Sequence, residues 1–137
     1  MFKFLLALVL ACGVDLAAAQ NVKAVYHINT DVDTISPILG NIRNHLSEDP
    51  KAKIVVVTHG AGINFLLQDA KDSRGREFSG PVSDLASNGV EFRVCNNTLT
   101  GMDINPSRLL METSIVPSGV AEIARLQAKE GFVYLKP

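Results

Sequence analysis

The chain has 137 residues, with 13 Lys and Arg against 14 Asp and Glu, for a formal net charge of −1. That length suits one domain, and the near-zero balance, with no Lys/Arg cluster, argues against a chain built for nucleic acid. An apolar content of 47% excludes a disordered chain.

Much of the apolar excess lies at the start, where 16 of the first 19 residues are apolar. Lys3 supplies a positive n-region, Phe4 to Leu10 the greasy centre and Ala17-Ala18-Ala19 a small-x-small cleavage site. This pattern predicts a secretory signal over residues 1–19 and a domain over residues 20–137. A membrane anchor is the weaker alternative, because Asp15 interrupts the run before the roughly 20 apolar residues a span needs. Lipoprotein processing at Cys12 is a second, since Val9-Leu10-Ala11-Cys12 loosely resembles a lipobox. Cleavage after Ala19 removes Cys12, leaves Cys95 as the single cysteine and allows no intramolecular disulfide. The mature chain is expected to be periplasmic or secreted, without a membrane span.

Val22 to Ile28 is β-branched and aromatic, the signature of a strand. A helix follows, with Asp33 or Thr34 as cap and Ile35, Ile38, Leu39, Ile42 and Leu46 at helical spacing; Asp49-Pro50 stops it. Lys53 to Thr58 is nearly all apolar, the pattern of a parallel strand covered on both faces. After His59-Gly60-Ala61-Gly62, a short helical piece is predicted over Ile63 to Ala70 and a solvated loop over Gln68 to Glu77. A helix from about Pro81 to Asn88 ends at Gly89 in a left-handed cap. Val90 to Cys95 is the third strand, Asn96 to Gly101 a loop, Pro106 to Met111 a short helix and Thr113 to Val116 a fourth strand. Ser118 opens a helix with Val120, Ile123, Ala124 and Leu126 inward, ending near Gly131; Phe132 to Leu135 is the last strand. Strands alternating with helices predict an α/β fold with a mostly parallel sheet.

In such sheets ligands gather at the carboxyl ends of the strands. That places His27 to Asn29, Thr58 to Gly60 and Cys95 to Asn97 on one rim. Cys95 is a candidate nucleophile, since the thiolate is the reactive form and an imidazolium, an Arg or a helix N-terminus favours it. Arg93 falls on the same strand face as Cys95 and Glu91, and the helix after Val116-Pro117 is a source of N–H groups. The competing reading is a buried cysteine acting as a small hydrophobe, and the residues alone favour it. His59 is either catalytic or a donor that orients the glycine turn. His27, on a strand, reads as a satisfied core histidine, and His45 as solvated. Gly60-Ala61-Gly62 reads as a tight turn, because a phosphate loop lacks its third glycine and its Lys-Ser/Thr here. Asp31 and Asp33 are read as capping residues before acid–base groups. No Cys-x-x-Cys or His-x-x-x-His spacing occurs, so neither metal nor cofactor is expected.

The run Val94-Cys95-Asn96-Asn97-Thr98-Leu99 and the segment Val116-Pro117-Ser118-Gly119-Val120-Ala121-Glu122-Ile123 resemble the DsrE/DsrF-like family, with Tyr26 to Asn29 and Val57 to Gly60 fitting the same pattern. The resemblance implies a three-layer α/β/α fold, a parallel five-stranded sheet in the order 4-3-2-1-5, and homo-oligomers, commonly trimers or hexamers. Relatives in sulfur oxidation and tRNA thiolation pass sulfur as a cysteine persulfide, a role that would fall on Cys95. The expected function is therefore an exported sulfur handler. Cys95 passes sulfane sulfur to a thiol partner, His59 tunes it, and Asn29, Asn96, Asn97 and Arg93 contact the ligand. The alternative is a non-catalytic binding protein with Cys95 inert.

Overall fold

The computed structural model describes residues 19–137. The expected leader with Cys12, residues 1–18, lies outside the described residues. Five strands form one sheet: β1 (Lys23–Ile28), β2 (Lys53–Thr58), β3 (Glu91–Cys95), β4 (Thr113–Val116) and β5 (Val133–Leu135). Their order is β4-β3-β2-β1-β5, and every neighbouring pair is parallel. The expected fold class and strand order thus hold, and the sheet is wholly rather than mostly parallel.

Side chains alternate between faces with a period of two, which splits the core. On one face Ala24, Tyr26 and Ile28 of β1, Ile54 and Val56 of β2, and Phe92 and Val94 of β3 pack under the buried side chains of α1 (Ile35–Glu48) and α2 (Ser79–Ser87). Each of the Ile, Val and Phe side chains removed from water contributes about 1.5–3 kcal/mol before the entropy cost of ordering it. On the other face Val25, Val55 and Val57 meet Ile123, Leu126 and Phe132, and α4 (Gly119–Glu130) is the helix that supplies this layer. The reason is topological. The chain steps from β1 to β4 along one direction of the sheet, then α4 carries it back to β5 on the far side of β1.

Gly62 shows how tightly the first face is built. A Cβ there would lie 2.2 Å from the carbonyl oxygen of Ile28, so the turn after β2 presses against the end of β1. The glycine-rich segment is a 3-10 helix, Gly60–Leu66, which places the helical piece expected over Ile63 to Ala70 several residues earlier.

Several local expectations change. Asn96–Gly101 is not a loop but a short helix, α3: Cys95 leaves β3 extended at the N-cap position without a side-chain cap bond, and burial of Leu99 holds the helix down. The Pro106 helix is a single 3-10 turn, Pro106–Arg108. Val120 and Ala124 face outward, because the stripe that meets the sheet is Gly119, Ile123 and Leu126. Thr34 does not cap α1 with its side chain; its hydroxyl donates to the Asp31 carbonyl at 2.9 Å within a 3-10 turn. Ser118 does cap α4, accepting from the Ala121 N–H at 3.3 Å. His45 is not simply solvated, since its Nδ1 pairs with the Tyr26 hydroxyl at 2.9 Å. The polar loop is organised about Asp72, which accepts from the N–H groups of Arg74 and Arg76, both at 2.9 Å, and from the Arg76 guanidinium.

Candidate functional site

Cys95 ends β3 on the face that α4 covers, and two helices begin beside it. α3 starts at the next residue, so the N–H groups of Asn97 and Thr98 in its open first turn favour a charged sulfur, although Cys95 makes no side-chain cap hydrogen bond. α4 starts at Gly119, whose N–H also faces it, and the Thr98 hydroxyl adds a further donor. Burial pushes the thiol up, yet these donors outweigh it and leave the pKa below the ordinary value. Cys95 is 5% exposed, so the sulfur is nearly enclosed, but by groups that stabilise negative charge.

Gly119 makes this approach possible. A Cβ built on it would lie 3.2 Å from the Cys95 Cβ, 3.3 Å from the His59 Cβ and 3.3 Å from the Thr58 carbonyl oxygen. The start of α4 therefore packs against both the cysteine and the histidine. The Thr98 hydroxyl also accepts from the Gly60 N–H at 3.0 Å, tying the turn after β2 to α3.

His59 follows β2, and the Nε2 edge of its ring reaches toward β1. Its Nε2 lies 2.6 Å from the Nε2 of His27. The ring centroids are 4.8 Å apart and the planes 26° from parallel. With the nitrogens in contact at that separation, the rings meet edge to edge. The Nδ1 of His27 pairs with the Tyr134 hydroxyl of β5 at 2.7 Å. Burial, then the Lys136 charge, holds both imidazoles below the usual histidine value; His27, which also feels His59, falls to about 4. Both are neutral at pH 7.

The other expected ligand contacts divide. Asn29, Asn96 and Asn97 are exposed at the rim, with Asn29 accepting from Lys136. Arg93 lies on the same face as Cys95 but is engaged by Glu91 and Glu122, and Glu122 also binds Arg125. The network ties the first turns of α4 to β3. Among the described residues, no group of three or more His, Cys, Asp or Glu is placed to hold a metal. The hollow lined by Ser36, Leu39, Arg43, Asp72 and Phe78 contains none of the candidate residues.

His27, Tyr134, Lys136, Thr98 and Gly119 were not among the expected site residues. One signal was present for two of them: with β5 beside β1, strand alternation puts His27 and Tyr134 on the same face as Val25. The helix after Cys95 carried none, since Asn-Asn-Thr reads as loop.

The DsrE/DsrF-like family model matches residues 11–137. The chain belongs to the DsrE/DsrF-like family. That family is associated with sulfur transfer. Among solved structures, the chain is similar to MTH1491 from Methanobacterium thermoautotrophicum, described as a protein of unknown function. The two are 34% identical over 85% of this chain and 100% of the other, with a TM-score of 0.76. The ychN protein from E. coli shares the fold, with 12% identity over 85% of this chain and 98% of the other, at a TM-score of 0.70. No curated protein matches the sequence. No helix among the described residues is long and apolar enough to cross a membrane.

Proposed function

We propose that this DsrE/DsrF-like protein is exported, with cleavage near Ala19, and carries sulfane sulfur as a persulfide on Cys95. The observation that carries the reading is the set of donors around that sulfur, the N–H groups of Gly119, Thr98 and Asn97 and the Thr98 hydroxyl. They favour the thiolate, which is the attacking form, and favour it again when it leaves. With thiosulfate as donor the step balances without a redox partner. The Cys95 thiolate attacks the outer sulfur, a new sulfur–sulfur bond forms, the old one breaks, and sulfite departs with the electron pair. A second thiolate then takes the outer sulfur from Cys95. Asn29, Asn96 and Asn97 stand at the rim as polar contacts for donor or acceptor, and exposed Val120 and Val133 suit association between copies.

One observation favours a second reading. Cys95 is only 5% exposed, as expected of an inert thiol in a non-catalytic binding protein. Mass measurement separates the two. Native protein incubated with thiosulfate or polysulfide gains about 32 Da, one sulfur atom, on Cys95 if the carrier reading holds. An unmodified mass with a free thiol still present supports the inert reading.

A further inference from the structure

The deepest unassigned feature of the rim is the row of side chains from Tyr134 through His27 to His59. Two imidazole nitrogens 2.6 Å apart share one proton, because only one of them can donate. That constraint propagates along the row. When His27 donates through Nε2, its Nδ1 must accept from the Tyr134 hydroxyl 2.7 Å away, and the neutral His59 carries its proton on Nδ1. When His59 donates through Nε2, His27 carries its proton on Nδ1 and donates to Tyr134, and His59 Nδ1 presents a lone pair. Both arrangements satisfy every contact, and they differ by one concerted shift of protons.

The two ends of the row differ. Tyr134 is 42% exposed and meets water. His59 Nδ1 has no hydrogen-bond partner among the described residues, and the β-carbons of His59 and Cys95 both lie against Gly119, so the two side chains leave the rim from neighbouring positions. A persulfide extends the Cys95 side chain by a further sulfur–sulfur bond of about 2 Å.

The geometry points to a proton wire, Tyr134–His27–His59, that protonates the outer sulfur of a Cys95 persulfide. This inference rests on the carrier reading above and assigns two further residues to it: His59 as the group that meets the outer sulfur, and His27 as the positioning residue that reloads it. The need is chemical. A persulfide anion repels an incoming thiolate, whereas its protonated form is open to attack at the outer sulfur. His59 Nδ1 gives its proton to that sulfur, and His59 Nε2 takes one from His27. His27 Nδ1 takes the tyrosine proton, and water restores the tyrosine. The acceptor thiolate then bonds to the outer sulfur, the bond to Sγ breaks, and Cys95 leaves as the thiolate held by the amides. No electrons are gained or lost overall, and each ring ends neutral. Lys136, the cation beside the pair, helps to keep both rings neutral, as a relay of this kind requires.

The test separates loading from discharge. Full-length protein and the His27→Gln and Tyr134→Phe variants are loaded with polysulfide, weighed, and discharged to glutathione as the probe thiol. All three gain the sulfur, because loading does not use the wire. Discharge slows by about tenfold or more in His27→Gln, whose amide bonds to His59 but passes no proton, and less in Tyr134→Phe. Added imidazole restores part of the rate in His27→Ala. For wild type, which needs no variant to fold, discharge is slower in D2O than in water. Discharge in His27→Gln within twofold of wild type, or a wild-type rate equal in the two solvents, overturns the wire and leaves the carrier reading intact. Failure of wild type to load overturns the carrier reading and the wire with it.

Discussion

The two faces of this sheet are built to different ends. The face under α1 and α2 buries Tyr26, Ile28, Phe65, Phe78 and Phe92 among many aliphatic side chains. Its aromatic rings meet edge on, with Phe65 5.9 Å from Phe78 and 6.4 Å from Phe92 between centroids. The face under α4 has a core of six buried residues. Around that small core stand the polar groups: Cys95, His27, His59, Tyr134, and the chain of ion pairs from Glu91 through Arg93 and Glu122 to Arg125. Among the described residues α4 alone covers this face, and its amino end approaches the strand ends, where the thiol lies. Stability is concentrated on one face, and the freedom to arrange polar atoms on the other.

The largest expected effect separates the two. Phe78→Ala empties a site that is 2% exposed and lowers unfolding stability by about 3–5 kcal/mol in a denaturant titration. The reactivity of the Cys95 thiol in the folded fraction stays unchanged. A comparable loss of thiol reactivity would show that the faces are not independent. Gly119→Ala is the converse. Its new methyl meets Cys95 and His59 carbons at 3.2 and 3.3 Å, so the start of α4 must shift by a few tenths of an ångström. The stability cost is smaller, about 1–3 kcal/mol, but the thiol loses its closest α4 donor, its pKa rises and sulfur loading at neutral pH slows. Wild-type loading by this variant would remove Gly119 from the account.

A third effect is a pH dependence. His27 resists protonation until about pH 4 in the fold, whereas an unperturbed histidine takes up a proton near pH 6.5. The unfolded chain therefore binds the proton first. This contribution to stability is complete above pH 6.5 and is lost as the pH falls toward 4. The urea midpoint of His27→Gln should fall less steeply than that of wild type across this interval, and parallel slopes would exclude the effect.

Much of this division was legible in the residues. The strands announced themselves by Val-rich runs such as Ile54 to Val57, and the order of strands followed from the family resemblance. The rim positions of Cys95, His59 and Asn29 followed from strand ends alone. Three features did not. α3 is held by burial of Leu99, a tertiary effect on a sequence with loop propensity. The inward stripe of α4 is set by Gly119, which hydrophobicity scoring passes over in favour of Val120, 63% exposed. The pairing of His27 with His59 needs β1 and β2 in register, with His27 opposite Val57, which no local pattern contains.

The most direct measurement of the central claim is the rate of Cys95 alkylation by iodoacetamide in the native protein as a function of pH. Stabilisation of the thiolate by the amides of Gly119, Thr98 and Asn97 predicts an inflection below the ordinary thiol value. An inflection at or above that value, or no alkylation until the protein unfolds, would contradict it.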